Sequence, residues 1–328
     1  MGNMKKNRMI IIALLALILL PSCDARSAAE QKGTLCVATW NVQNLFDAEP
    51  DGNEYDEYTP SSGWGQRAYE NRLAAARRVL DNLPLSGDYI LVLNEIEGPY
   101  VVEDLINSHD LIKLGLRYFA CTEETWSPIQ IAVASSMPIS DARVHAVGEN
   151  LRPILEVEFE TGFGKIFVLA CHFKSNVGGV TETESQRILA ARTAAQISRT
   201  LEAENPGALV LICGDLNEEC TVGEALSGEG PLPCGSTFSR GQWYDFWMDG
   251  DSVPWPGGSY WYDGAWRSYD NILISLAGND LWGWDYSDSG VVFTQFQKAA
   301  DGKPFAWDRR LLKGISDHLP VWVRFSVK

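Results

Sequence analysis

The chain has 328 residues, 45% of them hydrophobic, and a formal charge of −16. The length suits one large domain or a small pair, at roughly 100–200 residues per domain, and is enough to bury a sizeable core. So acidic a surface argues against a tight, counterion-driven grip on nucleic acid, but not against a hydrolase that touches its substrate briefly.

Residues 1–22 read as a leader. Lys5, Lys6 and Arg8 form a basic start, and Met9 to Leu20 is an apolar run too short to span a bilayer comfortably. Leu20-Pro21-Ser22-Cys23 resembles a bacterial lipoprotein cleavage box, which would make Cys23 a lipid anchor. An ordinary secretory signal cut slightly later is the alternative. Either way the expected place is the bacterial cell envelope, lipid-anchored on its periplasmic or surface face, or outside the cell. Loss of a leader with three positive and no negative charges takes −16 to −19. Residues 23–33 are small and polar and read as a tether.

Residues 34–328 read as one domain, because polar motifs from residue 39 to residue 318 are all needed by one site. Thr34–Trp40 is the first predicted strand, and an acidic loop runs from Asp47 to Arg67. Residues 67–83 are predicted helical, with Leu73, Ala76, Leu80 and Leu83 on one stripe. Tyr89–Leu93 is a strand, and a short helix is placed around Val101–Ser108. Ile129–Ser135, Ile154–Phe159 and Lys165–Cys171 read as strands. Thr183–Ala203 is the second clear helix, with Thr183 and Gln186 placed to form its capping box. Leu209–Cys213, Asn271–Leu276 and Val321–Phe325 complete the strands. Residues 243–266 hold five of the twelve tryptophans, read as aromatic core ahead of base or lipid contact. The pattern predicts an α/β (α+β) fold, two mixed sheets packed face to face under helices.

Of the seven cysteines, Cys36, Cys171 and Cys213 sit in strand-like runs and read as buried hydrophobes. Cys220 and Cys234 flank a Gly/Pro-containing loop, and whether they pair is open. No zinc-type spacing occurs.

The chemistry lies at the ends of the apolar runs. Glu95 closes Tyr89–Leu93, where a carboxylate is costly unless a cation meets it, and Mg²⁺ is the natural partner. The alternative is a cap for the following helix. Asn41 and Asn217 are amides that can position a phosphate or a metal-bound water, or simply turn the chain. Asp215 sits two before Asn217, on one side if the chain stays extended. Asp317 is a possible second metal ligand beside His318, and Asp270 a candidate to orient a histidine. Of four histidines, only His172 and His318 fall in motifs; His109 and His145 read as ordinary. Lys174, two beyond His172, is placed to hold a phosphate. Arg152 is either a phosphate contact or a surface ion pair, and Arg187 and Arg267 add further cations.

The order Asn41, Glu95, His172, Asp215-x-Asn217, Asp270, Ser316-Asp317-His318 resembles the endonuclease/exonuclease/phosphatase superfamily, which includes deoxyribonuclease I, abasic-site endonucleases, neutral sphingomyelinases and inositol-polyphosphate 5-phosphatases. Thr39-Trp40-Asn41-Val42-Gln43-Asn44-Leu45-Phe46-Asp47, His172-Phe173-Lys174-Ser175 and Ser259-Tyr260 before Trp266 are similar to its bacterial secreted, extracellular nuclease-like branch. The resemblance implies a four-layer α/β sandwich. It implies Mg²⁺ or Mn²⁺ at Glu95, with Asn41 and Asp317 near the metal. It implies that His318, oriented by Asp270, and Asp215 activate water, and that His172 and Asn217 stabilise the transition state. Substrate contacts fall to Lys174, Asn41 and Arg152. The leading expectation is a metal-dependent phosphodiesterase of nuclease type, binding nucleic acid weakly, tethered to membrane through lipid and with no obligate protein partner. A lipid or inositol phosphate phosphoesterase is the alternative on the same site. A non-catalytic surface binding lipoprotein would require a lost motif residue, and none is missing.

Overall fold

The structure, a computed structural model, describes residues 33–250 and 253–327. The leader, Cys23 and the tether up to residue 32 lie outside the described residues. No helix among the described residues is long and apolar enough to cross a membrane.

Alternation of apolar residues builds four layers, from fifteen strands and three α-helices among the described residues. The strands, in chain order, are β1 (Thr34–Leu45), β2 (Asp88–Ile96), β3 (Tyr118–Cys121), β4 (Gln130–Ser135), β5 (Asp141–His145), β6 (Ile154–Thr161), β7 (Gly164–His172), β8 (Leu209–Asp215), β9 (Cys234–Gly235), β10 (Trp243–Tyr244), β11 (Tyr260–Tyr262), β12 (Ala265–Arg267), β13 (Asp270–Ile274), β14 (Trp284–Val291) and β15 (Val321–Val327). The helices are α1 (Gln66–Leu80), α2 (Pro99–Ile106) and α3 (Val180–Glu204). One sheet runs β14-β15-β1-β2-β4-β3, the other β5-β6-β7-β8-β13-β10-β9, and β11-β12 is a separate hairpin. The pairs β1–β2 and β7–β8 are parallel, and each is bridged by a helix-bearing crossover, through α1 and α3 respectively.

Leu35 and Val37 of β1, Ile90 and Val92 of β2, Ile166 and Val168 of β7, and Leu211 of β8 form the core between the sheets. Their alternates point outward. Ala38, Trp40, Leu91 and Leu93 pack with Leu73, Ala76, Leu80 and Leu105 of α1 and α2. Leu169, Val210 and Ile212 pack with Ala190, Ala191 and Ala194 of α3. A period of two therefore fills both faces of each sheet.

Several elements differ from expectation. α3 begins at Val180 rather than Thr183, and no side chain caps it. Thr183 lies inside the first turn, where its hydroxyl donates to the Gly179 carbonyl at 2.7 Å. Glu95 caps no helix: α2 starts after Gly98 with Pro99 in its first turn. The tryptophan-rich stretch divides. Trp243 and Trp247 are in the cores, whereas Trp255 is 64% exposed. Cys220 and Cys234 are disulfide-bonded, with Cα atoms 6.0 Å apart.

Candidate active site

Strand register assembles the site. In the second sheet His172 pairs with Asp215, and Asp215 with Asp270, so three motif residues form one row across β7, β8 and β13. In the first sheet Asn41 pairs with Asn94. Asn94 then joins the sheets: its Nδ2 donates to the Cys171 carbonyl at 3.0 Å, and its Oδ1 accepts from Asp215 N at 2.8 Å. Gly214, at φ 141°, lets β8 approach β7, because a Cβ there would collide with the Cys171 carbonyl.

Glu95 occupies a bulge, where the β2–β4 register shifts between Asn94 and Ile96 and its own φ is 64°. Such an irregularity re-aims a side chain at the end of a strand. Its carboxylate accepts from Asn41 Nδ2 at 2.9 Å and from Asn44 N at 2.9 Å. The same Asn41 Nδ2 donates to Asp215 Oδ2 at 3.0 Å, while Asn41 Oδ1 accepts from Gln43 N. In this arrangement Asn41 orients both carboxylates.

His318 lies across the row. Its Nδ1 is 2.6 Å from Asp270 Oδ2 and its Nε2 3.9 Å from Asp215 Oδ2. The Tyr260 ring stacks on the imidazole with centroids 4.3 Å apart, and Trp40 Nε1 donates to the His318 carbonyl at 3.1 Å. Ser259 Oγ accepts from Asp270 N at 3.1 Å, so one dipeptide touches both members of the pair. His172 Nε2 is 3.7 Å from Asp215 Oδ2 and 4.0 Å from Glu95 Oε1.

Asn217 does not share an extended face with Asp215. Its φ is 50°, its N–H donates to Asp215 Oδ1 at 3.0 Å, and its Nδ2 donates to the Phe173 carbonyl at 3.2 Å. A carboxylate bonding the backbone two residues on folds Asp-x-Asn into a turn. Arg187 and Arg267 are not free cations: Arg187 is buried against Glu218 at 3.0 Å, and Arg267 pairs with Glu219 at 3.2 Å. Arg152 and Lys174 form no ion pair among the described residues, and with His172 and Trp126 they line a cavity of about 140 Å³.

Burial and charge push the titrations apart. Burial holds the His172 imidazole well below its usual range, helped by Arg152, His318 and Lys174, so it is neutral. Burial alone would also lower His318, but Asp270 and Asp215 outweigh it and raise its affinity for a proton well above normal. Burial lifts Asp215 to about 7, with His318 opposing the rise. Burial also raises Glu95, against the Asn41 hydrogen bond, and the nearby Asp317 charge adds to the rise. Two carboxylates that repel each other at the rim, neither paired with a lysine or arginine among the described residues, fit a hard divalent cation. The Asp317 carboxylate accepts no hydrogen bond among the described residues, while its N–H donates to Gln43 Oε1 at 3.1 Å.

The motif residues Asn41, Glu95, His172, Asp215, Asn217, Asp270, Asp317 and His318 thus converge on one rim. Sequence reasoning misses the roles of Gln43, Arg72, Asn94, Ser259 and Tyr260. A signal for Arg72 is present, as a cation directly before Leu73 and four before Ala76 on the buried stripe of α1.

A profile described as the Endonuclease/Exonuclease/phosphatase family matches residues 36–327. None of the curated proteins matches this sequence. Among solved structures the chain is similar to TDP2 from C. elegans, at 19% identity and TM-score 0.57, over 92% of this chain and 78% of that one. It is also similar to D. rerio TDP2 complexed with single strand DNA product, at 14% identity and TM-score 0.56, over 90% and 99% of the two chains. An endonuclease/exonuclease/phosphatase family protein from Bacteroides thetaiotaomicron aligns at 15% identity and TM-score 0.55, over 91% and 99%.

Proposed function

This chain belongs to the endonuclease/exonuclease/phosphatase family, a family of metal-dependent phosphoesterases, and from that premise we propose that it is a phosphodiesterase cleaving nucleic acid by in-line attack of an activated water. The observation that carries this reading is the row His172–Asp215–Asp270 with His318 bridging its last two carboxylates. Asp270 holds the imidazole in place, and the Asp215–His318 pair removes the proton from water. Neutral His172 and the Asn217 amide donate to the phosphoryl oxygens as charge develops on them. Glu95 and Asp317 would hold Mg²⁺ or Mn²⁺, which supplies Lewis-acid polarisation of the phosphoryl oxygen and eases leaving-group departure.

Arg152 and Lys174 support nucleic acid over a lipid with one phosphate. Cations without acidic partners among the described residues are notable in a chain of 27 basic and 43 acidic residues, and these two share a cavity with the His172 imidazole. The fold neighbour from D. rerio carries a single strand DNA product, which agrees with this choice. The mature charge of −19 predicts weak binding and a high Michaelis constant. The leader and Cys23 support a lipid-anchored enzyme at the cell envelope.

The test is hydrolysis by the purified protein of single- and double-stranded DNA, RNA, sphingomyelin and inositol phosphates, with and without Mg²⁺. Metal-dependent nucleic-acid cleavage is expected. Rapid hydrolysis of sphingomyelin or an inositol phosphate, with nucleic acid untouched under any metal, would transfer the assignment to the lipid or inositol reading.

A further inference from the structure

The buried stripe of α1 carries one cation. Arg72 is 1% exposed and has no acidic ion-pair partner among the described residues. An ion taken into the interior costs several kcal/mol even after relaxation, unless its donors are satisfied. Its Nη donors go to main-chain carbonyls, Nη1 to Ile315 and Nη2 to Val42 and Gln43, while Nε has no hydrogen-bond partner among the described residues. The guanidinium also lies over the Trp307 ring, 4.8 Å from its centroid.

The three carbonyls belong to two segments far apart in sequence. Val42 and Gln43 follow Asn41 at the end of β1, and Ile315 precedes Ser316-Asp317. Gln43 reinforces the link, because its Oε1 accepts from both Trp307 N at 2.7 Å and Asp317 N at 3.1 Å. Gln43 and Asn44 each sit at φ 56°, a left-handed conformation that side-chain-bearing residues avoid unless held. The Asn44 N–H that this backbone presents is the one that binds Glu95 Oε2. Thus the geometry that aims Glu95 and the turn that carries Asp317 are tied to the same guanidinium.

We infer that Arg72 is a positioning residue for the divalent-metal site, clamping the β1 end and the Asp317 turn so that Glu95 and Asp317 face one cation. The inference rests on the metal-dependent reading above. Charge alone predicts the opposite sign. A guanidinium behind two carboxylates opposes an arriving cation, so its removal would tighten metal binding if electrostatics were its whole effect. A clamp predicts weaker binding on removal.

The experiment is calorimetric titration of Mg²⁺ into the full chain and into its Arg72→Met and Arg72→Lys variants, with melting temperature checked and kcat followed to saturating Mg²⁺. Loss of a residue that orients ligands typically weakens metal binding about 10–100-fold. In Arg72→Met the Mg²⁺ dissociation constant is expected to rise at least about tenfold, with kcat recovering as Mg²⁺ is raised. Arg72→Lys keeps the charge but loses the fork that reaches both segments, so its constant should also rise, by a smaller factor. An unchanged or tighter constant in folded Arg72→Met, or a kcat loss that excess Mg²⁺ does not relieve, overturns the inference. If Arg72→Met does not fold, Arg72→Lys decides, and wild-type metal binding in it overturns the inference equally. Absence of Mg²⁺ and Mn²⁺ uptake by the unaltered chain would instead overturn the metal reading itself, and this inference with it.

Discussion

His318 Nδ1 meets Asp270 Oδ2 at 2.6 Å, although the two residues are 48 positions apart, Asp270 opening β13 and His318 standing in the loop before β15. The pair exists because β13 places Asp270 in register with Asp215, and the chain returns to that point just before β15. The carboxylate fixes the ring so that Nε2 faces Asp215 and the reaction side.

Only the two site histidines should therefore matter for chemistry. His318→Ala and His172→Ala are each expected to lower kcat by about two to four orders of magnitude, as for acid–base or transition-state groups. His145 binds Glu156 at 2.8 Å on β5 and β6, away from the row, and His109 opens a turn after α2. Both should tolerate alanine with near-normal kcat. A folded His109→Ala as damaged as His318→Ala would show that the site has been placed wrongly.

Glu95→Gln preserves shape and removes one of the two carboxylates that face the proposed cation. Activity should fall by about two orders of magnitude or more, and Mg²⁺ binding by calorimetry should weaken. Chelator should abolish wild-type turnover, and Mg²⁺ or Mn²⁺ should restore it. Full activity in excess chelator would contradict the assignment.

The opposed titrations predict a bell-shaped pH profile for kcat/KM. Asp215 must be ionised to accept a proton, and burial lifts it to about 7. Activity should then fall as the pH drops through neutrality, with a midpoint nearer 7 than the ~4 of an ordinary aspartate. His318 is held protonated well above its usual range by Asp270 and Asp215. Its loss of charge should form the alkaline limb, displaced upward from the normal histidine range. The two midpoints belong to the coupled pair. Asp270→Asn removes the nearest charge that raises His318, so the alkaline limb should move to lower pH. An alkaline limb that stays in place in this variant would assign it to another group.

Much of this arrangement is legible in sequence because a polar side chain at the end of a buried strand is costly unless something at the rim meets it. β1, β2, β7, β8 and β13 each announce a candidate site residue that way. β5, with Asp141 to Val144 exposed, and the polar β14 carry no such alternation and escape sequence reasoning. Their pairing is decided by neighbouring strands rather than by their own pattern. Asp215-x-Asn217 is legible as a motif but not as a turn, since the Asp215 side chain competes locally with extended backbone. Arg72 shows in sequence only as a cation beside an apolar stripe; its partners are carbonyls from distant segments, which leave no trace in local spacing.

The cavity beside His172 is lined by two cations placed to grip a phosphate. Arg152 and Lys174 line about 140 Å³ of it and lack acidic partners among the described residues, and the Arg152 Nε is buried without a hydrogen bond. An unsatisfied buried donor costs roughly 1–3 kcal/mol, which an incoming phosphate oxygen would recover. A cation that grips a flanking phosphate equally in ground and transition states changes KM rather than kcat. Lys174→Ala and Arg152→Met should therefore each raise the KM for an oligonucleotide several-fold, with a smaller change in kcat. The effect should diminish for a diester with a single phosphate, and it should shrink as salt screens the contact. If both variants instead lower kcat with KM unchanged, the two cations act on the scissile phosphate in the transition state, and the cavity is part of the reaction centre rather than a grip on the neighbouring phosphate.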